Sequence, residues 1–445
     1  MKVFMLGWEF PPYISGGLGT ACYGLTKAMS EAGIQVCFVL PRPVDAGCPT
    51  HVKMLTPRAV AGQEQAAGGQ GLSDNVRIKP INAMLQPYGR PDAYQKQLER
   101  LIEAKRQKHR ITSVHGQQII DELLGAQGGA GPVTGQYCGD LFSEVHRYAA
   151  SAVQLALDED FDVVHAHDWM TYPAGIAVSA VTGKPLVVHV HSTEFDRSGE
   201  HVNQGVYDIE RRGMHAADRV IAVSHLTRNT ILTRYGVMGE KVEVIYNGVD
   251  RPNGQRWSYQ PTGIRSDEKI VLFLGRITMQ KGPEYFLMAA KKVLEEMENV
   301  KFVMAGSGDM MERIIHLAAE MGIGHKVLFT GFLRGEDVEK VYRMADLYVM
   351  PSVSEPFGIA PLEALNHDVP VLISKQSGVA EVLTHVLKVD FWDVVEMANK
   401  IVAVLKYPPL QMTLREHGNF EVRKLRWADA AERCAKIYGE LLVAV

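Results

Sequence analysis

Short apolar runs alternate with amphipathic helical stretches along most of this chain, and that alternation restricts the fold more than any other feature. Lys2–Gly7 reads as a strand, Thr20–Ala32 as a helix closed by Gly33, and Ile34–Leu40 as a second strand. Strand, helix and strand in this order predict a parallel sheet covered by helices. The pattern fades from about residue 49 to 139. There Ala59–Gly71 and Gly125–Gly135 read as loops and Asp92–His109 as a charged, exposed helix, together an elaboration of the first domain. It resumes with a helix at Ser143–Leu157 and strands at Phe161–His167, Leu186–His191, Arg219–Val223 and Val242–Tyr246. Arg251–Ser266 is turn-rich, lacks periodicity and reads as a linker. Strands then follow at Ile270–Gly275, Phe302–Ala305, Val327–Thr330, Leu347–Met350 and Val369–Ile373, with a last amphipathic helix at Trp427–Leu442. A chain of 445 residues exceeds a single typical core, so two domains are expected.

Composition excludes several classes. With 46% hydrophobic and 22% charged residues the chain matches ordinary globular proteins. A net charge of −4 offers no basic balance for nucleic acid or an anionic membrane. The N-terminal apolar run reaches Glu9 too early for a signal peptide, and no run approaches the roughly 18 apolar residues of a membrane span. The cysteines at 22, 37, 48, 138 and 434 are odd in number and never form C-x-x-C. That fits a reducing cytoplasm, with no disulfide framework and no zinc knuckle.

The chemistry concentrates in Val349 to Leu365. The strand Leu347–Met350 leads through a loop with Gly358 into a helix whose first turn holds Pro361. A glycine lets a ligand approach the backbone, and free N–H groups at a helix start suit a phosphate. Glu355 and Glu363 in the same stretch would repel phosphate unless they face something else. Ionised carboxylates only accept hydrogen bonds, so sugar hydroxyls are the natural partners. A sugar and a ribose with phosphates between them is a nucleotide sugar. Arg276 and Lys281 lie on the loop after Ile270–Gly275, where a guanidinium fork and an ammonium can hold a diphosphate. Gly16 and Gly17, on the loop after the first strand, let backbone amides approach a phosphate or sugar.

Two His-x-His pairs end neighbouring strands: His165 with His167, and His189 with His191. Alternate strand residues share a face, so each pair could share an ion, as in metal-dependent hydrolases. That hydrolase fold needs eight β-α units and leaves Glu355 and Glu363 unexplained. Asp158-Glu159-Asp160 formally matches a metal-binding D-x-D but precedes a strand, and reads as a solvated helix end.

Glu-Pro-Phe-Gly-Ile-Ala-Pro-Leu-Glu (355–363) resembles the paired-glutamate motif of retaining GT-B glycosyltransferases. Arg-x-x-x-x-Lys-Gly (276–282) is similar to their donor-phosphate motif, and Trp-Glu-Phe-Pro-Pro with Gly-Gly-Leu near the N-terminus is similar to glycogen and starch synthases. The likeness spans most of the chain outside roughly 49–139. It implies an α/β fold, GT-B, with two Rossmann-like doubly wound parallel-sheet domains facing a central cleft. The implied division is 1–250 on the acceptor side, 251–266 as linker, 267–425 for the nucleotide sugar, and 426–445 as a helix crossing back to the first domain. It further implies a retaining, cytoplasmic hexosyltransferase moving a glucosyl group from ADP- or UDP-glucose to an acceptor, an α-1,4-glucan as for glycogen synthase. A small acceptor, a nucleotide-sugar epimerase and the metal-dependent hydrolase stay as alternatives. The implied catalytic residues are Glu355, His167 (a donor-sugar contact in His-Ala-His-Asp-Trp), Arg276 and Lys281. Donor contacts fall on Gly17, Gly306, Phe332, Gly358, Ile359 and Glu363, and the acceptor side on Gly16, Asp140, His191 and Glu194. No cofactor or metal is expected, since the two cations neutralise the diphosphate.

Overall fold

The computed structural model describes residues 1–11, 16–41, 53–54, 76–80, 141–250 and 267–443. Among the described residues fourteen strands form two sheets. In the first sheet lie β1 (Lys2–Leu6), β2 (Gln35–Leu40), β3 (Lys53–Met54), β4 (Val76–Pro80), β5 (Val163–His167), β6 (Leu186–Val190), β7 (Arg219–Ala222) and β8 (Val242–Val244). The second holds β9 (Lys269–Leu274), β10 (Val300–Ala305), β11 (Val327–Gly331), β12 (Leu347–Met350), β13 (Val371–Ser374) and β14 (Leu387–Val389). The sheets run in the orders β3-β4-β2-β1-β5-β6-β7-β8 and β11-β10-β9-β12-β13-β14. Every named pairing in both is parallel, for example β1 with β5 and β9 with β12.

Both faces of each sheet are covered, which is why the strands read as nearly continuous apolar runs. In the first sheet Phe4, Leu6, Val164, Ala166 and Val188 point into one core layer, and Val3, Met5, Phe38, Val163 and Val187 into the other. The second sheet divides in the same way, with Phe273, Phe302 and Met304 opposite Leu272, Val303 and Tyr348. The last helix, Trp427–Val443, packs in the layer with Met5 and Phe38 through Trp427, Ile437 and Tyr438. Gly24 makes room for it: a Cβ there would sit 2.2 Å from the Trp427 ring.

In a doubly wound sheet the ligand crevice lies outside the strand carboxyl ends where the order reverses. Those reversals fall between β1 and β5 and between β9 and β12. At and beyond the carboxyl ends of these four strands lie Gly16–Gly17, His167–Asp168, Arg276–Lys281 and Glu355–Gly358. The two sheets face each other across them. Ser354 Oγ donates to Asp196 Oδ1 at 2.6 Å, and Thr227 Oγ1 donates to the Pro356 carbonyl at 3.3 Å. Glu381 from the second unit accepts from the backbone of His225 and Leu226 at 2.9 and 2.7 Å. It thereby caps the helix His225–Tyr235 of the first unit.

Boundaries differ from expectation by a few residues. The first helix spans Gly17–Glu31, so Gly17 opens it and does not lie in the preceding loop. β5 starts at Val163, β8 stops at Val244 and β13 is shifted to Val371–Ser374. β3 and β4 extend the first sheet inside a region read as loop and exposed helix. The expected loops at 59–71 and 125–135, the helix at 92–109 and the linker at 251–266 lie outside the described residues. Asp160, in the formal D-x-D, is solvent-exposed and pairs with Lys2 Nζ at 2.7 Å. Among the described residues no helix is long and apolar enough to cross a membrane.

Candidate active site

β12 is buried along its whole length and delivers the loop Pro351–Gly358 to the sheet edge. Glu355 is 6% exposed, and its carboxylate receives the Lys281 ammonium and the Ser352 hydroxyl, the latter at 3.2 Å. Its backbone is fixed as well, donating to the Gln376 carbonyl at 3.0 Å and accepting from Gly378 N–H at 2.9 Å. Lys281 ends the short 3₁₀ turn Met279–Lys281 that follows β9. The Gln280 carbonyl accepts from Val353 N–H at 2.9 Å, so the lysine loop and the glutamate loop form one unit. Gly282 permits that contact. Its φ is 64°, and a Cβ would meet the Pro351 carbonyl at 2.1 Å. Arg276 projects into solvent at the start of the same loop.

Glu363 sits in the first turn of the helix Ala360–Asn366, partly buried, and its Oε2 accepts from Tyr342 OH at 2.9 Å. Burial pushes the carboxyl above the ordinary glutamate value, and the Tyr342 hydroxyl pulls it part of the way back. Ile359 precedes this helix and Gly358 turns the chain into it with φ 103°. Gly306 approaches Gly275 so closely that a Cβ would lie 1.9 Å from the Gly275 carbonyl. Phe332 is 45% exposed. The Arg334 guanidinium lies 5.3 Å from its ring centre.

Across the cleft, Gly16 and Gly17 border open space among the described residues, with nothing within 4 Å of a hypothetical Cβ on either. His167 is fully buried, and its Nδ1 pairs with His191 Nε2 at 2.9 Å. His191 is the partly exposed member, so the imidazole proposed from sequence as a sugar ligand lies behind a second one. The backbone of His191 is held by Asp168, whose Oδ1 accepts from its N–H at 2.7 Å. Asp168 has φ 58° and its carboxyl is raised to about 7 by burial. Glu194, placed on the acceptor side from sequence, is 7% exposed and committed internally. It accepts from Arg197 Nε at 3.1 Å, Ser198 Oγ at 3.1 Å and Asn203 N–H at 3.0 Å. Asp140 lies outside the described residues.

The structure thus brings Glu355, Lys281, Gly358, Ile359 and Glu363 onto one edge of the second sheet. Sequence reasoning passed over Ser352, Gln280, Tyr342 and Asp168. Only Asp168 carries a signal of its own, as a short polar residue at a strand end, a type that tolerates positive φ.

Comparison with known proteins bears on the family and the fold. Residues 257–419 match the family model described as glycosyl transferases group 1, residues 105–251 that of glycosyltransferase family 4, and residues 2–112 the starch synthase catalytic domain. The chain carries group 1 and family 4 glycosyltransferase domains. An uncharacterized glycosyltransferase of Methanocaldococcus jannaschii is 29% identical over 408 residues, covering 86% of this chain and 83% of the relative. A glycogen synthase of Mycobacterium tuberculosis is 24% identical over 387 residues, covering 86% and 80%. Among solved structures, the glycosyltransferase resembles sucrose-phosphate synthase from Thermosynechococcus elongatus, with TM-score 0.71, 19% identity and full coverage of both chains. It also resembles HepE from Anabaena, solved in complex with UDP-glucose, with TM-score 0.65, 18% identity and coverage of 99% and 100%. These likenesses carry the two-domain GT-B fold.

Proposed function

We propose that this glycosyltransferase moves a glucosyl group, with retention, from ADP- or UDP-glucose to an α-1,4-glucan, and that the transfer itself uses no metal ion. The observation that carries the reading is the shared position of Glu355, Lys281 and Glu363 at the edge of the second sheet, with Arg276 on the adjoining loop. The starch synthase model and the glycogen synthase relative support a glucan acceptor. The UDP-glucose complex of HepE supports the donor class.

The donor's C1–O bond breaks as the acceptor hydroxyl approaches, so positive charge grows on the sugar and negative charge on the diphosphate. Arg276 and Lys281 stabilise the departing diphosphate, aided by backbone amides at Gly17 and Gly358. Lys281 is paired with Glu355. An arriving diphosphate competes for the ammonium and frees Glu355 to accept from sugar hydroxyls and favour positive charge at C1. Glu363 accepts from the ribose hydroxyls, while Gly306, Phe332 and Ile359 border the nucleoside. His191 contacts the sugar directly, and His167 positions it from behind through the 2.9 Å bond. The leaving phosphate takes the acceptor's proton. Gly16 and Asp140 belong to the acceptor side.

The test is incubation with a panel of radiolabelled nucleotide sugars and short malto-oligosaccharides, followed by chain-length and anomer analysis. Extension with α-linked product is expected. Transfer to small alcohols alone would replace the glucan with another acceptor, and β-linked product would overturn retention.

A further inference from the structure

Glu355 is gripped from both sides of the cleft. Within its own unit its backbone pairs with Gln376 and Gly378. From the other side, the first unit holds the residues immediately before and after it. Ser354 Oγ donates to Asp196 Oδ1 at 2.6 Å, and the Pro356 carbonyl accepts from Thr227 Oγ1 at 3.3 Å. A third approach falls on Gly378, where a Cβ would lie 2.5 Å from Ser224 Cβ and 2.2 Å from the Pro356 carbonyl oxygen.

The gripping side chains are themselves fixed. Asp196 Oδ2 accepts from Thr193 N–H at 2.8 Å and from Thr193 Oγ1 at 2.7 Å, which closes the capping box of the helix Glu194–Ser198 and leaves Oδ1 for Ser354. That helix is anchored in turn: Glu194 N–H donates to Glu210 Oε2 at 3.0 Å, and the Arg197 guanidinium pairs with Glu210. Thr227 stands in the first turn of the helix His225–Tyr235, where its N–H donates to Ser224 Oγ at 3.0 Å and its hydroxyl accepts from the same Oγ at 3.0 Å. Asp196, Thr193, Ser224 and Thr227 are all buried.

A contact that only joins two units can sit anywhere along their interface, as the one through Glu381 does. These fall on the two neighbours of a single carboxylate-bearing residue. With planar peptides on each side, fixing the residues before and after Glu355 leaves its own φ and ψ little freedom. We propose that Asp196 and Thr227 are positioning residues for sugar transfer: from the first unit they hold the loop that carries Glu355, so its carboxylate keeps its place when Lys281 turns to the diphosphate. The inference rests on the reading of Glu355 as the carboxylate that faces the transferred sugar. A misplacement of about 1 Å at a reacting centre can cost roughly 100-fold in rate.

The test uses the full chain and two readouts. Ser354→Ala removes the bond across the cleft and leaves the capping box of Asp196 intact, Ser354→Thr restores a hydroxyl, and Thr227→Val keeps the shape while removing the second bond. Hydrogen exchange read by mass spectrometry reports on the loop. Peptides spanning residues 352–358 should exchange faster in Ser354→Ala than in the wild type, and Ser354→Thr should lie close to the wild type. Initial rates at saturating nucleotide glucose report on the chemistry. Ser354→Ala should lose roughly 10- to 100-fold in kcat, the scale of one hydrogen bond to a charged group, and Thr227→Val about 3- to 10-fold, the scale of a neutral one. Free ADP or UDP should bind these variants as it binds the wild type, because Arg276, Lys281 and Glu363 are untouched. Unchanged exchange over 352–358 in both Ser354→Ala and Thr227→Val would overturn the proposal. So would a raised donor KM with wild-type kcat at saturation, which is what losing a purely adhesive contact gives. Should the wild type transfer no sugar to a glucan, the glucan reading fails, while the exchange readout still decides this inference.

Discussion

Lys281→Ala separates the structural from the chemical role of the Lys281–Glu355 pair. The side chains are 21% and 8% exposed, so removing the ammonium leaves a carboxylate in a dry site with Ser352 as its remaining side-chain donor. Breaking a buried pair from one side costs about 3–5 kcal/mol, and the partial exposure of Lys281 places this case near 3. For a unit the size of the second domain that corresponds to about 6–12 °C in unfolding temperature. Adding Glu355→Gln removes the uncompensated charge and should restore most of the loss. Turnover should behave differently, because a cation aimed at developing charge contributes on the order of 10²–10³ in kcat. The single variant loses that factor, and the double variant does not regain it. Scanning calorimetry of the two variants, together with initial rates of sugar transfer, provides the readout. If the double variant is no more stable than Lys281→Ala, or the single variant melts with the wild type, the coupling argued between these residues is wrong.

The raised carboxyl of Glu363 gives a pH signature. Ribose recognition needs the ionised form, so donor KM should climb on acidification at a higher pH than for an ordinary glutamate, and Tyr342→Phe, which removes the hydroxyl that lowers this pKa, should move the climb higher still. For folding the sign is opposite, since a native state that holds its proton more tightly loses relative stability as pH rises through the raised pKa; superimposable KM profiles for wild type and Tyr342→Phe would refute the assignment. Glu381→Ala removes the acceptor for two backbone N–H groups and for Tyr246 OH at 3.1 Å, a cap-type loss of about 0.5–2 kcal/mol spread across the two units. X-ray scattering without donor should then show a larger mean radius than wild type, and an unchanged curve would deny Glu381 a part in holding the units together.

What could be read in the sequence was local. The apolar runs marked β9, β10 and β12 to within two residues, because parallel strands covered on both faces have little choice of composition. Glu355 and Glu363 stood out because two carboxylates beside a phosphate-type helix start need a reason. Relationships across the chain were not legible. Lys281 and Glu355 are separated by 74 positions, and nothing near either announces their pairing. Thr193 and Asp196 form a capping box around the start of the short helix Glu194–Ser198, a spacing that could have signalled an internal use for Glu194. The order of His191 in front of His167 depends on the turn after β6, which has no local signature. β3, at the sheet edge, is two residues long and too short to show a period, and the five-residue alternation of β4 is brief and stands alone among residues without one.

In the proposed transfer Glu363 serves the nucleotide and Glu355 the transferred sugar. Calorimetric titration of the free nucleoside diphosphate into wild type, Glu363→Gln and Glu355→Gln tests it directly. A hydrogen bond to a charged group contributes about 1.5–3 kcal/mol, so Glu363→Gln should bind the diphosphate at least about tenfold more weakly. Glu355→Gln, which releases Lys281 from its partner, should bind it as well as wild type or more tightly. Equal affinities for the two variants, or a loss confined to Glu355→Gln, would contradict the orientation of the donor across this site.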